Sequence, residues 1–293
     1  MSTGSSRLDF NPPLAAVADD VARALAEDIG SGDVTAALLP DLPDNAYLLC
    51  KQDAVVCGRP WFDACHRALD PQVRIDWQVA EGDRVTSGTV LALLQGRARS
   101  LVSAERASLN FMQTLSATAT STAQHVEAVS GTGAKILDTR KTIPGLRQAQ
   151  KYAVRVGGGV NHRMGLYDVV MLKENHVRAA GSLTAAIHAA RTAQPSLPLV
   201  VEVETLAELR EALDVGCDRI LIDNFDAGTR REAVRINAAH ARPVPLEASG
   251  GVDLAGLRAI AEDGVDCISI GGLTKHVQAI DLSLKLGSPP TAE

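Results

Sequence analysis

The sequence predicts an α/β protein whose larger part is an incomplete (open) α/β barrel. Three observations predict it. From residue 135 onward, short apolar runs alternate with helical patterns, the signature of a parallel sheet. The pitch is even: Glu202 to Asp223 spans 21 residues, Asp223 to Glu247 spans 24, and Glu247 to Ile270 spans 23. Only about 140 residues (135–275) carry the alternation, whereas a full eight-stranded barrel uses ~250, so six or seven strands are expected. No G-x-G-x-x-G follows a strand, which counts against a doubly wound sheet.

Residues 1–12 read as a loose tail. Leu14, Val17, Val21, Leu25 and Ile29 then recur at helical spacing until Gly30-Ser-Gly-Asp33 breaks the pattern. Residues 45–98 are β-rich, with runs at Tyr47–Leu49, Val55–Val56, Val73–Val79 and Thr89–Leu94 between turn signals, and one helix over Trp61–Leu69. The turn Glu81-Gly-Asp-Arg-Val-Thr-Ser-Gly-Thr-Val90 is similar to the hammerhead turn of lipoyl and biotinyl carriers. No lysine lies between Lys51 and Lys135, so the carrier chemistry is not expected. A long helix is expected over 100–129. Strands follow at Lys135–Leu137, Val169–Leu172, Leu199–Val203, Ile220–Ile222, Val244–Leu246 and Cys267–Ile270. The helices between them are placed at Leu183–Arg191, Leu206–Leu213, Thr229–Ala239 and Leu254–Asp263.

Composition narrows the function. The chain of 293 residues carries a net charge of −6 and only 3% aromatics, which argues against a nucleic-acid partner. No apolar run approaches the ~20 residues of a membrane span, and no secretory leader is read at Met1–Ser6. Five cysteines without a C-x-x-C pair suit a reducing, cytoplasmic setting and burial as small apolar residues.

In a barrel, chemistry sits at the C-terminal ends of the strands. Those ends read Asp138-Thr-Arg-Lys141, Lys173-Glu-Asn-His176, Glu202-Val-Glu204, Asp223-Asn224, Glu247-Ala-Ser-Gly-Gly251 and Gly271-Gly272. Residues 136–176 hold seven Lys or Arg against three acids, a local +4 that leaves −10 for the rest of the chain. A basic mouth in an acidic protein fits a small anionic substrate. Arg147, Lys151 and Arg155 alone read equally well as a basic surface helix. Ser249-Gly-Gly251 and Gly271-Gly272 suit phosphate held by backbone N–H groups, or ordinary turns. Glu202 and Asp223, ending neighbouring strands, suit Mg²⁺ beside a phosphate, or an ion pair with Lys141 or Lys173. His162 reads as structural or as part of the basic segment. Glu105-Arg106, on the long helix, reads by spacing alone as an exposed pair of little value.

Several of these segments resemble the quinolinate phosphoribosyltransferase family. They are Glu27-Asp-Ile-Gly-Ser-Gly-Asp-Val-Thr35, Glu105-Arg-Ala-Ser-Leu-Asn110, Leu137-Asp-Thr-Arg-Lys-Thr-Ile-Pro-Gly145, Gly157-Gly-Gly-Val-Asn-His-Arg-Met-Gly-Leu-Tyr-Asp168, Lys173-Glu-Asn-His176, Glu202-Val-Glu204, Leu246-Glu-Ala-Ser-Gly-Gly251 and Ile268-Ser-Ile-Gly-Gly-Leu273. The resemblance runs through nearly the whole chain in order. It implies an N-terminal α/β sandwich domain over 1–115, joined by the segment 276–293, and a barrel over 116–275. It implies transfer of a phosphoribosyl group from phosphoribosyl pyrophosphate (PRPP) to quinolinate with decarboxylation, Mg²⁺ as cofactor, and a homodimer. Quinolinate would meet Arg106 (donated across the interface), Thr139, Arg140, Lys141, His162, Arg163 and Lys173. PRPP would meet Lys141, Glu202, Asp223, Ser249, Gly250, Gly251, Ile270, Gly271 and Gly272. Lys141, Glu202 and Asp223 would be catalytic, with Glu202 and Asp223 serving the metal. The family more often has Ala or Val at Gly272 and His-Ser at Lys275-His276. Rival readings are a relative that uses nicotinate or accompanies molybdate transport, and a Schiff-base aldolase built on Lys173.

Overall fold

The computed structural model describes residues 11–289, so the tail over 1–10 lies outside the described residues. In chain order the elements are α1 (Leu14–Ile29), β1 (Pro43–Cys50), β2 (Ala54–Val55), α2 (Arg59–Leu69), β3 (Arg74–Trp77), β4 (Arg84–Val85), β5 (Val90–Arg97) and α3 (Ala98–Ala128). They continue with β6 (Lys135–Leu137), α4 (Arg147–Val156), β7 (Val170–Leu172), α5 (Glu174–Ala180), α6 (Leu183–Ala193), β8 (Leu199–Val203) and α7 (Leu206–Val215). The last are β9 (Arg219–Asp223), α8 (Ala227–Ala239), β10 (Leu246–Ser249), α9 (Leu257–Glu262), β11 (Cys267–Ser269), α10 (Gly272–Lys275) and β12 (Leu282–Leu286). The chain forms two compact units. Among the described residues, one holds 11–123, 143–158 and 276–289; the other holds 124–142 and 159–275. The boundary expected at 115 thus falls inside α3, and 143–158 lies with the first unit.

The first unit is built on an antiparallel sheet in the order β12-β1-β5-β3. The C-terminal strand β12 enters this sheet beside β1, with Leu48 opposite Leu284. Leu48, Leu91, Leu94 and Leu284 join Phe62 of α2 and Leu101, Leu109 and Met112 of α3 in one core. A second core gathers Val17, Val21 and Leu25 of α1 with Trp61, Leu115 and Tyr152. α4 packs so tightly on α3 that a Cβ at Gly157 would lie 2.4 Å from the Ala119 carbonyl oxygen. The same crowding corrects the reading of α4 as a surface helix. Residues 149–154 are all buried, and Lys151 has no solvent face, being only 1% exposed. All five cysteines are buried free thiols, as their spacing predicts.

The second unit carries a six-stranded parallel sheet in the order β6-β11-β10-β9-β8-β7. Followed round, this is chain order with one unpaired seam between β6 and β7. A single bridge, Leu137 to Val160, adds a further strand position beside β6 on the seam side. The sheet is curved. His162, two residues past that bridge, reaches Glu247 of β10 at 3.3 Å. Three strand spacings separate the two in a flat sheet, about 14 Å, so the side chains meet only across a concave interior. This is the open barrel that the alternation predicts.

One strand boundary differs from expectation. The strand placed at Val244–Leu246 is Leu246–Ser249, because Pro243 and Pro245 have no N–H for the ladder. Pro245 contributes only its carbonyl, accepting from Ile220 N–H at 3.1 Å. The helix α5, which the spacing does not place, follows Lys173: His176 Nδ1 accepts from Lys173 N–H at 3.1 Å and closes its first turn.

His66 of α2 is buried, its Nε2 3.2 Å from Ser108 Oγ, and burial pushes its pKa down to about 4. Unfolding restores its ordinary value of 6.5, so the unfolded chain binds the extra proton between those values. Stability is therefore full above about pH 6.5 and falls toward pH 4, by up to about 3 kcal/mol. In urea titrations at about pH 7 and pH 5, His66→Gln is expected to lose less stability on acidification than wild type; equal losses refute the assignment.

Candidate active site

The second unit gathers the strand ends into one mouth. The parallel register sets Ser249 of β10 beside Asp223 of β9, and Ser269 of β11 beside Leu137 of β6. Thr139, Arg140 and Lys141 follow β6, Lys173 follows β7, and Glu202 and Asp223 lie in β8 and β9. Gly250 and Gly251 follow β10, Ile270 and Gly271 follow β11, and Gly272 opens α10.

Specific contacts tie these groups together. Lys173 Nζ makes a short ion pair with Glu202 Oε2, which is the ion-pair reading of that acid. Lys141 passes so close to Gly271 that a Cβ there would sit 2.8 Å from Lys141 Cδ. The Lys141 carbonyl accepts from Thr274 Oγ1 at 2.8 Å, and its N–H donates to Thr139 Oγ1 at 3.0 Å. Asn224 Nδ2 donates to Asp223 Oδ2 at 3.0 Å. Gly250 and Gly251 both have positive φ, +97° and +55°, as the turn reading of that pair requires.

The cations are crowded. Burial, then the Arg140 charge, pull the Arg163 guanidinium below its ordinary range, and Asp168 offsets part of this. The charge of Arg140 thus acts against that of Arg163, an opposition that an anionic ligand would relieve. The backbone that carries Arg163 is fixed by carboxylates. Asp138, fully buried, accepts from His162 N–H at 2.8 Å and from Asn161 Nδ2 at 2.6 Å. Asp168 accepts from Met164 N–H at 2.6 Å and from Gly165 N–H at 3.2 Å.

Beneath His162, the buried Glu247 lies 3.3 Å from its Nε2 and 3.1 Å from Arg219 Nη1. Burial works against the Glu247 charge, but His162, Ser269 and Arg219 outweigh it and hold the carboxyl below its usual range. Sequence reasoning leaves Glu247 without a role and does not single out Arg219. The available signal is an acid flanked by apolar Leu246 and Ala248 inside a strand, which must point into the barrel.

Not every predicted residue stands in this mouth. Arg106 belongs to the first unit, exposed on α3. Arg147, Lys151 and Arg155 belong to the first unit as well, on α4.

Comparison with known proteins decides the family. Residues 33–116 match the model for the N-terminal domain of quinolinate phosphoribosyl transferase, and residues 118–285 match that for its C-terminal domain. The chain belongs to the quinolinate phosphoribosyltransferase family. It is 42% identical over 279 residues to the nicotinate-nucleotide pyrophosphorylase [carboxylating] of Mycobacterium leprae, covering 92% of this chain and 97% of that one. It is 40% identical over 285 residues to the mitochondrial quinolinate phosphoribosyltransferase [decarboxylating] 2a of Nicotiana tabacum, covering 90% and 80%. The structure of the nicotinate-nucleotide pyrophosphorylase from Francisella tularensis superposes with a TM-score of 0.91 at 41% identity, over 98% of this chain and all of that one. No described helix is long and apolar enough to cross a membrane.

The buried Asp138 gives this family site a direct test. Asp138→Ala leaves the N–H of His162 without its acceptor inside the protein, a cost of about 1–3 kcal/mol. The expected result is a lower Tm together with faster amide exchange over residues 159–165; unchanged exchange there refutes the bracing role.

Proposed function

We propose that the chain transfers the 5-phosphoribosyl group of PRPP to quinolinate, releasing pyrophosphate and CO₂ and giving nicotinate mononucleotide. The observation that carries this reading is the set of cations brought to one mouth: Arg140 and Lys141 directly after β6, Lys173 directly after β7, and Arg163 on the segment held by Asp138 and Asp168. Quinolinate is a dicarboxylate, and two carboxylates call for more cations than the single one of nicotinate.

The residues divide the work by charge. Arg140, Arg163 and Lys173 hold the two carboxylates, with Thr139 beside them. Lys141, lying along Gly271, serves both substrates. Ser249, Gly250, Gly251, Ile270, Gly271 and Gly272 supply the backbone cradle for the 5-phosphate, and Glu202 and Asp223 face the ribose. The two substrates are both anionic and repel one another. A cationic mouth offsets that repulsion and holds the pyridine nitrogen in line with the anomeric carbon. The nitrogen lone pair forms the new C–N bond as the C–O bond to pyrophosphate breaks. The ring nitrogen is then cationic and stabilises the carbanion left by CO₂ loss, which takes a proton from water.

Mg²⁺ fits the donor set. Among the described residues no cluster of three or more His, Cys, Asp or Glu side chains could form a protein-only cage. Two carboxylates, Glu202 and Asp223, beside substrate phosphates are the ordinary arrangement for this ion. Bound there, it draws charge from the departing pyrophosphate oxygens. Arg106 is exposed on α3, and we assign it to the site of a second copy in a homodimer.

An assay with quinolinate, PRPP and Mg²⁺, run against nicotinate, is expected to give nicotinate mononucleotide and CO₂ from quinolinate only. Arg140→Ala and Lys173→Ala should each lower turnover by at least ~100-fold, as loss of charged groups that position a reactant does, with Tm little changed. Near-normal turnover in either refutes the site. Arg106→Ala mixed with Lys141→Ala should recover about a quarter of wild-type turnover on random reassociation, because each hybrid dimer has one intact site. No recovery, with hybrids shown to form, refutes the shared site.

A further inference from the structure

The segment that carries Lys141 leaves the sheet early. The ladder between β6 and β11 ends at Leu137, whose carbonyl accepts from Ile270 N–H at 2.9 Å. Residues 138–142 then run outside any strand or helix, and Lys141 is exposed. A long, flexible side chain on such a turn loses much rotamer freedom when a ligand fixes it.

Three contacts restrain Lys141 in advance. Its N–H donates to Thr139 Oγ1 at 3.0 Å, which closes the turn on itself. Its carbonyl accepts from Thr274 Oγ1 at 2.8 Å, which fastens the turn to α10, 133 residues further along the chain. Its stem runs along Gly271, where a Cβ would lie 2.8 Å from Lys141 Cδ and 3.7 Å from Lys141 Cβ. The φ of Gly271 is not positive, so the left-handed region does not call for glycine there; the space taken by the lysine does. Thr274 has no solvent exposure. A hydroxyl sealed from water is a cost unless it is bonded. Valine would fill the same space without that cost, but it cannot donate to the Lys141 carbonyl.

We propose that Thr274 is a positioning residue for Lys141. Its buried hydroxyl fixes the lysine backbone, Gly271 leaves the gap in which the stem lies, and the ammonium is presented to both substrates before either binds. Sealed from solvent, Thr274 acts through Lys141 rather than on a substrate. This rests on the reading of the mouth as the site of phosphoribosyl transfer to quinolinate.

The test uses the full chain with Thr274→Val, which keeps the shape and loses the donor, and Thr274→Ser, which keeps the donor and loses the methyl. Thr274→Val is expected to lower kcat/KM about tenfold for both quinolinate and PRPP, as loss of a supporting partner does. Thr274→Ser should stay within about twofold of wild type, since the hydrogen bond is kept. Near-normal kcat/KM in Thr274→Val overturns the proposal, and so do equal losses in the two variants, which make Thr274 a packing residue. Amide exchange supplies a readout independent of turnover. Exchange over residues 139–142 should quicken at least about threefold in Thr274→Val and not in Thr274→Ser, with β8 and β9 as in wild type. Unchanged exchange over 139–142, or faster exchange in β8 and β9 as well, overturns the anchor. Should Thr274→Val collapse the Tm, Thr274→Ala repeats both measurements without the added methyl, with the same expected and overturning results. Wild-type protein that does not use quinolinate refutes the proposed function instead, and leaves the exchange comparison to decide the anchor.

Discussion

Like charges gathered at one mouth must be held in place by something else. Arg140, Lys141, Arg163 and Lys173 cluster at one end of the barrel, and their mutual repulsion would splay them without a fixed support. The support is a set of carboxylates placed behind them. Asp138 holds the backbone at His162, and Asp168 holds it at Met164 and Gly165. Glu202 pairs with Lys173, and Glu247 faces His162 and Arg219. Glu202 meets an ammonium and Glu247 a guanidinium, while Asp138 and Asp168 accept from backbone and amide N–H groups.

Such a mouth is costly to fold. Two of the acids, Asp138 and Glu247, are fully buried, and a buried charge is tolerated only when paired or hydrogen-bonded. The apolar cost is met elsewhere. The strands below the mouth bury Ile136, Val201, Ile220, Ile222, Leu246 and Ile268 almost completely. The first unit completes its sheet with β12, whose Leu282 and Leu284 join the core built on β1 and β5. The parallel strands are only three to five residues long, which brings every strand end to the mouth within a single turn of side chains.

Periodicity made the architecture legible. The strand at Leu199–Val203 and the helix opening at Leu14 follow directly from spacing, and the even 21-to-24-residue pitch predicts the open barrel. Spacing fails where a residue's environment comes from distant chain. Nothing local marks Lys151 as buried, because the cover comes from the packing of α4 against other helices of its unit. Nothing local marks Asp138 as a brace for residues 23 positions later. The role proposed for Arg106 comes from motif resemblance alone, since an exposed arginine on a long helix carries no signal of its own. Proline chemistry, by contrast, was readable. Pro243 and Pro245 forbid an early start to β10, and a stricter use of the missing N–H groups would have placed that strand correctly.

The double glycine after β10 shows how one backbone requirement serves two purposes. Phosphate binding asks for glycine so that a ligand can approach the backbone. The structure adds an internal reason. Asn224 sits at φ +56°, an uncommon conformation for a residue with a side chain, and its N–H donates to the Ser249 carbonyl at 3.2 Å. In that position its amide reaches back to Asp223. A Cβ on Gly250 would lie 2.2 Å from Asn224 Oδ1, so any side chain there displaces the amide that orients Asp223. Gly250 thus shapes the carboxylate of the neighbouring strand before any ligand arrives. The glycine pair proposed to hold phosphate and the acid proposed to face ribose and metal are therefore set by the same contact, and a change at Gly250 acts on both.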